Sequence, residues 1–178
     1  DDTTLIYGGE YTTGQSYTTA YELLNEMGVH QFFHVWQGWK YYISVDEMYG
    51  QWWGEGFNRY FSHKVLEAVG DTTEGYQQLG VYYNEYYNSV QQGYVVSLLS
   101  RSYPYNAYEY NAGALFTYAM DKQLQTETNG AYSMDMVLKH VLEEWMTHGT
   151  PFTYAGMIDY IKDESGIDFT QFFEDYVV

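Results

Sequence analysis

The sequence predicts a mostly α domain with a small N-terminal β element. Apolar residues recur at helical spacing along most of the chain, as at Leu23, Leu24, Met27 and Phe33. Helix punctuation brackets these runs. Ser133 and Thr153 stand at starts, and Asn129-Gly130, Gly149 and Gly166 stand at ends. A short strand-like run, "TTLIY", lies near the start and leads into the loop "GGEYTTGQS".

The elements follow in order. A helix is expected from about Thr18 through "AYELLNEMGVHQFFHVW", and "GWKYYISVDEMYGQ" reads as a connector. A second helix, "WWGEGFNRYFSHKVLEAVG", ends near Gly70, and "TTEGYQQLGVYYNEYYNSVQQG" is a third. "YEYNAGALFTYAMDKQLQTETNG" is a helix closed at Asn129-Gly130, where a left-handed residue can end it. "SMDMVLKHVLEEWMTHG" runs from Ser133 to Gly149, "TYAGMIDYIKDESG" from Thr153 to Gly166, and "DFTQFFEDYVV" is a short last helix. The 178 residues suit a single domain with a real core. It divides into a β/loop edge over 1–18, a pair of helices over 19–70 and a helical subdomain over 71–178.

Composition narrows the function. With 24 acidic against 7 basic residues, the net charge is −17, which would repel a polyanion, so no nucleic-acid partner is expected. No run of eighteen apolar residues is present, so no membrane span is expected. The opening "DDTTLIYGG" does not read as a signal peptide; a mature N-terminus and a domain boundary both fit it. Cysteine is absent, which removes thiolate chemistry and leaves His, Asp and Glu as metal ligands. The 23 tyrosines, with Thr, Asn, Gln and Gly, replace much of the usual Lys and Arg surface. Such a surface suits an extracellular or cell-surface protein in an acidic or salty setting.

The stretch "HQFFH" carries the chemistry. His30 and His34 are four apart, so a helix puts both imidazoles on one face. Neutral imidazole is a common zinc ligand, and a catalytic zinc takes three protein ligands and a water. The best third ligand is Glu55 in "WWGEGFNRYF", with Asp46 and Glu47 weaker because they lie in the connector. His63, His140 and His148 have no such neighbours and read as surface or helix-end residues.

Nearly the whole chain resembles the catalytic unit of the gluzincin (thermolysin-like) zinc metallopeptidases, and among them the glycyl aminopeptidases. "HQFFHVW" is similar to that family's H-E-x-F-H-x-W, and "WWGEGFNRYF" to its W-x-x-E-G-[FT]-x-x-Y-[YF]. "YNAGALFTYAMD" is similar to Y-x-K-G-A-L-x-x-x-x-x-D, with Ala112 in place of the lysine. "GIDFTQFFEDY" is similar to the closing G-x-D-x-x-x-F-F-x-x-Y. The family's preceding β domain and PDZ-like region have no counterpart in these residues. The resemblance implies Zn2+ held by His30, His34 and Glu55, a peptide or protein substrate, and Tyr110 as hydrogen-bond donor to the reaction's oxyanion. It also implies that "YGGEY" is a shortened form of the strand whose glutamate, here Glu10, binds the substrate's free amine.

A further departure bears on the chemistry. The general base of H-E-x-x-H is Gln31 here. Glutamine keeps the shape and can still hydrogen-bond a water, but its amide takes no proton at neutral pH. The expectation is a zinc-binding, aminopeptidase-like domain inactivated at its base. The alternative is a natural pseudopeptidase, a non-catalytic binding module acting as a homo-oligomer or within an extracellular assembly. Both an introduced Glu→Gln change and natural loss of the base would leave this sequence.

Overall fold

The computed structural model describes residues 28–35, 52–69, 72–94, 97–98, 106–151 and 153–177. These are mostly helical, with no strand among them. The β element expected within 1–18 and the connector at 38–51 lie outside the described residues. We number the helices α1 (residues 28–35), α2 (Asn58–Ala68), α3 (Thr72–Gln91), α4 (Asn106–Glu127), α5 (Met134–His148), α6 (Tyr154–Ser165) and α7 (Thr170–Tyr176). A π-helical turn, Trp52–Phe57, runs directly into α2.

The helix α4 lies at the centre. Ala112, Ala114, Met120 and Leu124 are buried along it. The position where the resembling family carries lysine, Ala112, is part of this core, so a long cation would have no room there. The π turn crosses α4 at glycine on glycine. A Cβ on Gly56 would stand 2.5 Å from Gly113 Cα, and a Cβ on Gly113 would stand 3.0 Å from Gly56 Cα. Only residues without side chains allow the two backbones to approach this closely.

Aromatic packing spreads from that crossing. Trp52 is fully buried and meets the rings of Tyr154 at 5.5 Å and Phe173 at 5.6 Å, which seats α6 and α7 on the π turn. Trp53 lies 3.8 Å from Phe57 by ring centroids, and Phe57 continues to Phe61 at 4.6 Å. The closing motif is structural throughout. Gly166 takes the left-handed C-cap of α6, Asp168 Oδ1 accepts from the Thr170 amide at 2.9 Å, and Phe173 enters the core.

A second constraint is the carboxylate of Asp121, almost fully buried. It accepts from Tyr60 Oη, from the Met134 backbone amide at 2.7 Å, from Gln125 at 2.7 Å and from Lys64 at 3.3 Å. The motif tyrosine of α2 and the motif aspartate of α4 are thus bonded to each other. Asp121 also takes over a capping role expected of Ser133. Ser133 is the N-cap of α5, but its hydroxyl turns to Asp135 while Asp121 binds the first helical amide. Thr153 behaves as expected and accepts from the Gly156 amide at 3.0 Å.

Two substitutions and an acid titration test this framework. Gly56→Ala should destabilise the chain by about 1–3 kcal/mol through overpacking, read from urea unfolding. Gly54→Ala, where a Cβ meets nothing within 4 Å, should be close to neutral. Burial raises the Asp121 pKa, but the hydrogen bonds from Tyr60 and the Met134 amide, with Lys64 and Gln125, hold it below its usual 3.8. Its stabilising contribution is therefore present above pH 3.8 and lost as pH falls through the folded value. Asp121→Asn should flatten that part of the acid-unfolding curve.

Candidate metal centre

Two segments far apart in sequence build the centre. On α1, Phe33 packs toward the core against Phe61 at 5.9 Å, while Gln31, Phe32 and Val35 are exposed. The remaining face carries His30, which is buried, and His34, which is partly buried. Glu55 arrives on the π turn, and turns of this wide kind gather at functional sites because they shift a side chain relative to its helix.

The three ligand atoms converge. Glu55 Oε2 lies 3.0 Å from His30 Nε2 and 3.0 Å from His34 Nε2, and the two imidazole nitrogens are 2.9 Å apart. Ligands ~2.0–2.1 Å from a tetrahedral zinc stand roughly 3.3–3.4 Å from one another. The observed triangle is within a few tenths of an ångström of that. Two imidazole lone pairs cannot face each other at 2.9 Å, so without a cation at least one Nε2 must carry a proton. A divalent ion removes that requirement, because all three lone pairs can face it. Two imidazoles and a carboxylate form a donor set that fits zinc. Among the described residues, this is the one group of such side chains that could hold a metal.

The electrostatics favour the binding forms of His30 and Glu55. Burial lowers the His30 pKa, opposed by the hydrogen bond and charge of Glu55, which favours the neutral ring. Burial pushes Glu55 up, but hydrogen bonds and charge from His30 and His34 more than reverse this and leave it far below the usual carboxylate range.

Tyr110 comes from the centre of the fold. Its ring stacks on His30 at 6.3 Å with an interplanar angle of 25°, and its phenol is close enough to Glu55 to feel that carboxylate's charge. Burial raises its pKa, and the Glu55 charge raises it further, so it remains a proton donor. Gln31 occupies the helix position next to His30 and is exposed. Glu10, Asp46 and Glu47 lie outside the described residues.

Neighbours of these residues give no signal in the sequence. Arg59 is buried one turn beyond Glu55, and its Nη1 donates to Asn111 Oδ1 at 2.6 Å. Its guanidinium lies over the rings of Tyr82 at 4.7 Å and Tyr110 at 5.4 Å, and Asn111 Nδ2 donates to Glu85 at 2.7 Å. A buried arginine needs such partners, but only the folded chain reveals them. Asn58 lies against His34 at 2.7 Å. His63 is not a surface residue. It is buried, 3.6 Å from Glu67 and with its ring 6.2 Å from that of Tyr60. The exposed His148, paired with Glu144 at 3.2 Å, fits the helix-end expectation.

Elemental analysis should find one zinc per purified chain, and His34→Ala should reduce it to background. Equal zinc in both proteins would remove His34 from the ligand set. No protein-family model and no curated protein matches this chain, so the likeness to gluzincins stands on its motifs alone.

Proposed function

We propose that this chain is a zinc metallopeptidase domain of aminopeptidase type whose general-base position is occupied by Gln31. The observation that carries the proposal is the convergence of His30, His34 and Glu55 from separate segments, with Tyr110 stacked on His30 beside them. A chance pair of packed histidines would not need a partly buried carboxylate and a phenol at the same point.

Bound there, zinc supplies Lewis-acid chemistry, acidifying a water and polarising a peptide carbonyl. The chain's own residues do the rest. His30, His34 and Glu55 orient the ion. Tyr110 donates its phenolic proton in a hydrogen bond to the carbonyl oxygen, which gains negative charge as the carbonyl is attacked. A donor of this kind acts mainly in the transition state. Glu10 is proposed to pair with the substrate's ammonium group, which would select free N-termini.

Gln31 limits the reaction. A residue beside His30 must accept a proton from the attacking water and deliver it to the leaving amine. The Gln31 amide can orient the water but cannot accept the proton. Loss of a general base costs ~10²–10⁴-fold, roughly 3–5 kcal/mol in the barrier. Peptide and metal binding would survive, so the same residues also suit a non-catalytic binding module. Gln31 is the observation that favours this second reading.

The variant Gln31→Glu separates the readings. In the zinc-loaded protein it should restore hydrolysis of glycyl and alanyl fluorogenic amides by about two orders of magnitude or more. No activity on these amides or on longer peptides would favour the binding module.

In that active background, Tyr110→Phe should lower kcat by ~10²–10³-fold while changing KM little. Tyr118, on the same helix and packed on the Tyr60 ring at 6.2 Å, is the control. Its change to Phe should leave kcat unaltered.

A further inference from the structure

We infer that Asn58 is a positioning residue of the metal centre: its side-chain oxygen accepts the Nδ1–H of His34 and thereby fixes the ring tautomer that leaves Nε2 free for the ion. The inference rests on the reading of His30, His34 and Glu55 as zinc ligands.

Asn58 is the first residue of α2, three positions after Glu55, so the segment that delivers the carboxylate also delivers this amide. It is fully buried. Its backbone carbonyl is held by Ser62 Oγ at 2.8 Å. The end of its side chain stands 2.7 Å from His34 Nδ1, the ring nitrogen away from the ligand triangle.

Two arrangements of the amide keep that contact. With Nδ2 toward the ring, the amide donates and Nδ1 must present a lone pair. The neutral ring then carries its proton on Nε2, the atom 3.0 Å from Glu55 and 2.9 Å from His30. A protonated Nε2 cannot ligate a metal. With Oδ1 toward the ring, Nδ1 donates and the Nε2 lone pair faces the other two ligands. The nitrogen and oxygen of an amide have nearly the same shape, so the hydrogen-bond network chooses between the arrangements.

The far end of the amide does not oppose the second arrangement. With Nδ2 toward the ring, Oδ1 is buried and has no hydrogen-bond partner among the described residues. Turning the amide puts Nδ2 in that place and leaves the number of satisfied ends the same. The choice therefore falls to His34, and a metal on Nε2 selects the oxygen. Partners that orient a ligating histidine in this way typically contribute 10–100-fold to metal affinity.

The test is a zinc titration against a competing chelator on the full chain, as wild type, Asn58→Leu and Asn58→Asp. Long-range proton–nitrogen NMR of the histidine rings in the zinc-loaded wild type accompanies it. Asn58→Leu keeps the approximate size but no acceptor, and should weaken zinc by about 10–100-fold. Asn58→Asp can only accept, and should bind zinc at least as tightly as wild type. The His34 ring should carry its proton on Nδ1.

Unchanged affinity in Asn58→Leu would overturn the assignment. So would a tenfold loss in Asn58→Asp, or a zinc-loaded His34 with its proton on Nε2. If Asn58→Leu fails to fold, the aspartate variant and the ring tautomer decide the matter. A wild-type chain that takes up no zinc would overturn the metal reading and this assignment together.

Discussion

The contact between Gly56 and Gly113 is the constraint on which the centre depends. A Cβ on either residue would push the π turn away from α4. Glu55 rides on that turn, and Tyr110 sits one helical turn from Gly113 on α4. The close crossing is what brings a carboxylate and a phenol from distant parts of the chain to one point. It also explains why Trp52 can reach Tyr154 and Phe173, so the same approach gathers the C-terminal helices.

Burying this much polarity would be costly if it were unpartnered. The fold answers with networks in which each group serves another. Arg59 holds Asn111, which holds Glu85, and the guanidinium lies over Tyr82 and Tyr110. Asp121 gathers Tyr60, Lys64, Gln125 and the first amide of α5. These two networks flank α2 and fix the direction of its N-terminal end, where Glu55 and Asn58 sit. His30, His34 and Glu55 can then converge without the disulfides that a cysteine-free chain cannot make.

In the proposed reading, Gln31 is the departure that falls on the reaction itself. The proposed ligands, the phenol and their buried supports are all in place around it. The physical consequence is separable: ligand geometry depends on lone pairs that Gln31 does not supply, whereas proton transfer depends on a basicity that an amide lacks. A domain of this kind would keep its binding properties while losing most of its rate.

The sequence by itself determined the features that local rules control. The i, i+4 spacing of His30 and His34 places both on one face of any helix. The ends of α5 and α6 follow from Gly149 and Gly166, which take left-handed backbone angles without strain. Glu55 and Tyr110 were legible only through the motifs around them, since 23 tyrosines and carboxylates enough to give a pI near 4.3 would otherwise hide them.

Tertiary structure alone decided the rest. Asn58, Arg59 and Asn111 join the site through space, and no local pattern marks them. His63 has no second histidine at ligand spacing and so reads as a surface residue, yet the packing of α2 encloses it. Ser133 sits where a cap belongs, but Asp121, from another helix, takes the amide. For Asn58, Arg59, Asn111 and Ser133 the deciding partner is distant in sequence, and only the packing of helix on helix brings it within reach.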